Sequence, residues 1–183
     1  MNRTYFSKHK IFFLLIVTTL NCSCLSFFED EKFTLTKTAY SGNELKIDGY
    51  FYIVYASKDS VNPRNTGITF LYNNGIALTS RLSQLSFLNN SENGEFNNYV
   101  QNNPNVWALY SIENDNIKIE AFKPMGGIGT PMYIKEGKIL NDTTFHLVRE
   151  YASYNTKDTR ELDETYHFKK FSPKPDSTNV YIQ

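Results

Sequence analysis

The sequence predicts a mainly β domain, an antiparallel small barrel of about eight to ten strands with one short helix or long loop, on three observations. First, short runs of alternating apolar and polar residues recur between positions 45 and 171. Second, turn formers separate these runs: there are 20 Asn, many of them clustered between the runs, and Asn tolerates the left-handed backbone of tight turns. Third, aromatics make up 15% of the chain, as 13 Tyr, 14 Phe and one Trp, and large flat side chains suit a pleated surface. No strand-sized pattern alternates with a helix-sized one, so βαβ repetition is not expected. A β-sandwich satisfies the same pattern and is the alternative architecture.

The first strand is expected over 45–56. Leu45, Ile47, Gly49, Phe51, Ile53 and Tyr55 share one face, and Lys46, Asp48, Tyr50, Tyr52 and Val54 share the other. Gly49 inside the run suggests a bulge or a close backbone approach. Asn62-Pro63 marks a loop. Residues 67–72 and 76–80 then flank Asn73-Asn74-Gly75, the strongest hairpin signal in the chain. Residues 81–105 break the pattern. Leu82, Leu85 and Leu88 fall near helical spacing, followed by Asn-rich chain up to Pro104. This predicts a short helix and then a long loop, with Phe96, Tyr99 and Val100 turned inward; such a loop is a candidate lid or contact surface.

The central hairpin follows: Val106 to Ile112, the turn Glu113-Asn114-Asp115-Asn116, then Ile117 to Phe122. Alternation places Ile117, Ile119 and Ala121 toward a core and Lys118 and Glu120 toward water. The glycines at 126, 127 and 129 lack the Lys-Ser/Thr and the helix of a phosphate loop, and read as a connection. Glu136-Gly137 is expected to turn a hairpin between 132–135 and 138–140. A strand over 143–150, a polar connection over 151–163 and a last strand over 164–171 complete the domain. Ser172-Pro173-Lys174-Pro175 stops it, leaving a tail over 173–183.

The leader is of another kind. Arg3, Lys8 and Lys10 precede an unbroken apolar run over 11–17, which continues into Thr18-Thr19-Leu20-Asn21-Cys22-Ser23-Cys24. A basic start, a short apolar centre and a small-residue end make a secretory signal. The run falls short of the ~20 apolar residues that span a bilayer. Both cysteines of the chain lie here, too close together to staple a fold. This stretch resembles the lipobox of bacterial lipoproteins. The resemblance implies cleavage before a cysteine that then carries lipid, either Cys24 after Ser23 or Cys22 after Asn21. It divides the chain into a signal peptide over 1–23, a tether over 24–43, a β domain over 44–172 and the tail. It also implies a domain outside the cytoplasm, held to a membrane of the bacterial cell envelope by its lipid, at the outer membrane in the first place. In outline the domain resembles the lipocalin-like small β-barrels of bacterial lipoproteins.

Chemistry is sparse. The formal charge is zero; without the leader, sixteen basic residues face 19 acidic ones, which gives no electrostatic case for nucleic acid. His146 and His167 sit on neighbouring expected strands but lack the further ligands of a metal site. No Gly-x-Ser-x-Gly elbow occurs. Asp115, Glu120, Glu136, Asp142 and Glu150 fall at turns or on polar faces, and none stands apart as one of a glycosidase pair. The expectation is therefore no enzyme, no metal and no cofactor. What remains is a binding module for a small apolar ligand or envelope component, its aromatics lining a pocket. The alternative is a structural or interaction lipoprotein that meets an envelope protein through its surface or the 81–105 loop.

Overall fold

A computed structural model of the protein describes residues 32–55, 65–82, 88, 94–122 and 131–182. Eight antiparallel strands close into a barrel, each pairing with its neighbours in sequence. They are β1 (Gly49–Tyr55), β2 (Asn65–Leu71), β3 (Ile76–Leu82), β4 (Trp107–Glu113), β5 (Asn116–Phe122), β6 (Met132–Asn141), β7 (Thr144–Ala152) and β8 (Asn155–Lys170). A short helix α1 (Glu95–Gln101) and a 3-10 turn (Pro104–Val106) lie between β3 and β4. The seam joins β1 to β8, with Phe51 opposite Phe168, so the sheet has no free edge along that line. Among the described residues no helix is long and apolar enough to cross a membrane.

The turns follow from residue chemistry. Gly75 adopts φ 79°, and a Cβ there would meet the carbonyl oxygen of Thr38 at 2.3 Å. Glycine is thus needed both for the turn and for the chain packed across it. Asn114 and Asp115 hold φ 48° and 61°, the paired left-handed geometry of a two-residue hairpin. Gly49 lies where a Cβ would meet Lys169 O at 2.1 Å, the close backbone approach expected of it.

The barrel carries two cores, one inside and one outside. The inner core takes Leu45, Phe51, Ile53, Leu71, Tyr110, Ile117, Phe145, Leu147 and Tyr166. The outer core takes the opposite faces of β1 to β4, including Tyr50, Ile68, Phe70, Leu78, Trp107 and Leu109. It is covered by Phe96 and Val100 of α1, by Phe33 and Leu35, and by Tyr181 and Ile182. The segments read as tether and tail therefore contribute Phe33, Leu35, Tyr181 and Ile182 to this packing. Every core residue among the described residues lies between positions 33 and 182, within the chain from Leu25 onward.

Four expectations are corrected. Lys118 is exposed, but Glu120 is fully buried, because residues 33–35, here called the strap, lie over the outer face of β5. Thr34 N donates to both Glu120 oxygens at 3.0 and 2.8 Å, Thr34 Oγ1 to Oε1 at 2.9 Å, and Leu35 N to Oε2 at 2.7 Å. Next, Glu136-Gly137 turns no hairpin: β6 runs through it as one strand with a register shift against β7. Gly137 is required because a Cβ would meet His146 O at 1.8 Å. Third, residues 155–163 are not a connection but the first half of the 16-residue β8. Threonines and alternating charges serve there as an exposed wall. Last, the stretch expected as a long loop holds α1 over Glu95–Gln101, with Phe96 and Val100 buried as expected and Tyr99 40% exposed, while Leu88 of the leucine run is itself helical. Positions 83–87 lie outside the described residues.

The end of the barrel nearest the Asn73–Gly75 and Asn114–Asp115 turns is sealed. Tyr40 packs on Tyr110, and Tyr110 Oη donates to Tyr72 O at 2.8 Å. Lys174 donates to Ile47 O at 2.7 Å and Leu71 O at 2.6 Å, with its ammonium 4.3 Å from the centre of the Tyr72 ring. Burial lowers the Lys174 pKa from 10.5 to about 8, against a smaller opposing pull from Asp48. The folded protein thus releases this proton before the unfolded chain does. As pH rises between those two values the unfolded state binds more protons, so this group adds stability with rising pH. The wild-type unfolding midpoint is expected to climb relative to Lys174→Met between about pH 7.5 and about pH 9.5, below tyrosine titration. A constant difference across that window, measured by denaturant melts, would contradict the placement of Lys174.

Candidate ligand-binding cup

Among the described residues, the opposite end of the barrel forms a cup of about 590 Å³, within the range of small-molecule sites. Its walls follow from alternation. Gly67 and Thr69 of β2 face Arg81 and Thr79 of β3 in register, and all four line the cup. Ile119 and Ala121 of β5 pair with Lys135 and Tyr133 of β6, again all lining it. Leu147 and Glu150 of β7 and Arg160 and Tyr166 of β8 complete the wall, and Tyr99, Asn103, Asn105 and Val106 border it from the α1 side.

Two ion pairs cross the wall. Lys135 Nζ lies 2.7 Å from Glu164 Oε2, and Arg160 Nη2 lies 3.0 Å from Glu150 Oε2. Their exposures differ within each pair. The Arg160 side chain is 59% exposed while that of Glu150 is 6% exposed, and Lys135 is 22% exposed against 10% for Glu164. The carboxylates are sunk in the wall and the cations stand in front of them. Arg81 adds a third cation from an exposed position across the cup. Below them lie Ile119 and Leu147, and Tyr166 stacks on Phe145 at 4.8 Å between ring centres. Tyr166 Oη donates to Glu164 at 3.3 Å, so one side chain joins the apolar floor to the charged mouth.

The residues singled out in the sequence scatter. Asp115 sits in an exposed turn, and Asp142 pairs with Lys46 at 2.9 Å on the surface. Glu136 lies on the outer wall, where it accepts from Arg149 Nε and from Tyr151 Oη. Burial, followed by the bonded Glu136 carboxylate, raises the Tyr151 hydroxyl to about 12. His146 bonds Thr165 Oγ1 at 2.9 Å, and His167 lies exposed beside the Tyr52 ring. Neither points into the cup, and among the described residues no three His, Cys, Asp or Glu side chains are grouped to hold a metal ion. Cys22 and Cys24 lie outside the described residues. Only Glu150 of the earlier candidates belongs to the cup. Arg81, Lys135, Arg160 and Glu164 were not singled out. For Lys135 the signal exists, since it shares a phase with Tyr133 and Gly137. For Glu150 unbroken alternation from Phe145 and Leu147 points it outward, and the register shift between Leu147 and Arg149 turns it inward.

No family model matches the chain, and neither a curated protein nor a solved structure matches it.

Proposed function

We propose that this protein is a lipid-anchored binding module of the bacterial cell envelope that holds a small molecule in the cup at one end of its barrel. The observation that carries the reading is the cup itself. It is a cavity of about 590 Å³ with an apolar floor and a charged mouth, in a barrel whose other end is sealed by Tyr40, Tyr110 and Lys174. A closed end makes a container and not a channel. No reacting pair is invoked: the carboxylates are each engaged by a cation, and the role assigned to them is to position those cations. The leader supplies the anchor, with lipid on Cys22 or Cys24.

Anchoring and binding are tested separately. Replacing both Cys22 and Cys24 with Ser is expected to abolish lipid labelling and to move the protein to the soluble fraction; membrane retention with no label in the parent would overturn the anchor. Native mass spectrometry of the chain from Leu25 onward, exported in a bacterial host, is expected to show added mass that denaturation removes. A bare chain that also takes up no small apolar probe would overturn the binding role and leave a protein acting through its surface.

A further inference from the structure

The charges in the cup say more about its occupant. We propose that the cup selects an anionic amphiphile: a carboxylate, phosphate or sulfonate group held among Arg81, Lys135 and Arg160, with an apolar body against Ile119 and Leu147. This rests on the binding role proposed above and names the chemistry of the same site.

Three observations carry it. Among the described residues the cup carries three cations, while the two carboxylates paired with Lys135 and Arg160 have side chains at most 10% exposed. Within each of these two pairs the ammonium or guanidinium group is thus more accessible to a ligand than the carboxylate. The cations come from β3, β6 and β8, so they surround the opening and converge on one volume. Guanidinium groups offer forked donors that match planar or tetrahedral oxyanions. Finally, the floor directly below is apolar, which suits a molecule with one charged end. Glu150 and Glu164 hold Arg160 and Lys135 in place before binding, so less order is lost when the ligand arrives. A purely apolar ligand would gain nothing from these cations and would have to strip water from them.

The test uses two environment-sensitive dyes sharing one apolar body, anilinonaphthalene sulfonate and uncharged N-phenylnaphthylamine, with the refolded, ligand-stripped chain from Leu25 onward. The sulfonate is expected to bind at least about tenfold more tightly, and its affinity to fall with added salt. Arg81→Gln is expected to weaken the sulfonate about tenfold and leave the uncharged dye within about twofold. Arg160→Gln removes the cation beside the buried Glu150 carboxylate and is the harsher change; Arg81, exposed at the rim, gives the decisive variant if Arg160→Gln does not fold. Decanoate is expected to displace the sulfonate where inorganic phosphate at equal concentration does not. Equal binding of both dyes, or sulfonate binding indifferent to Arg81→Gln, overturns the anionic preference but leaves the binding role standing. Displacement by phosphate as effective as by decanoate overturns the amphiphile and points to a free anion. A folded chain that binds neither dye overturns both this inference and the binding role beneath it.

Discussion

Glu120→Gln is expected to destabilise the barrel by about 3 kcal/mol, among the larger costs of a single isosteric change. Glu120 is completely buried, and its two oxygens accept from Thr34 N, Thr34 Oγ1 and Leu35 N. All three groups are donors. A glutamine keeps the shape but turns one oxygen into an NH2 group, which sets donor against donor in a place water does not reach. The strap would then lift, exposing Leu35 and Phe33, whose ring now meets Phe122 edge-on at 5.4 Å. Urea melts of wild type and variant measure the cost at matched slope, and hydrogen exchange at the Thr34 and Leu35 amides shows whether the strap is the part that opens. A loss under about 0.5 kcal/mol, the range of ordinary surface changes, would contradict the buried carboxylate as the strap's anchor.

Trp107→Ala is expected to cost about 4 kcal/mol, the scale of deleting a large buried aromatic. Trp107 is fully buried in the outer core. Its indole Nε1 donates to Val100 O at 2.9 Å, which ties the last turn of α1 to β4. Removal leaves a cavity and strips Val100 O of its shorter hydrogen bond, leaving it only the Asn103 amide at 3.4 Å. Trp107→Phe separates the two effects: it keeps most of the ring, loses only the hydrogen bond, and is expected to cost about 1–2 kcal/mol. Because Tyr99 and Asn103 border the cup from the same segment, Trp107→Ala should also loosen ligand binding, while Phe should not. A Phe variant as unstable as the Ala variant would contradict this division.

Much of the architecture was legible because hairpins announce themselves. Asn73-Asn74-Gly75 and Asn114-Asp115 turn where their tolerance of positive φ says they should, and the period-two runs between them set most of the inner face. What alternation does not record is a second layer. Tyr50, Ile68, Phe70, Leu78 and Trp107 face outward, yet they are buried beneath the strap, α1 and the C-terminal segment. This is why Glu120, in a polar phase, faces chain and not water. Gly137 shows a different limit. Glu-Gly marks a turn when read locally, but here the glycine lets β6 pass 1.8 Å (as a notional Cβ) from His146 O, a demand set by a partner strand several residues away. The cup was hidden for the same reason. Lys135 and Glu164 meet across 29 positions, and Glu150 turns inward only after a register shift.

The proposed occupant sits inside the cup. Ala121 lines that cup at half burial, so Ala121→Trp fills it from a wall that is already formed. The most direct measurement is native mass spectrometry of wild type and Ala121→Trp, from Leu25 onward, exported side by side and both checked for folding. The account expects an added mass on the wild type and a bare, folded variant. The same added mass on both proteins would contradict it, because the ligand would then lie somewhere other than the cup.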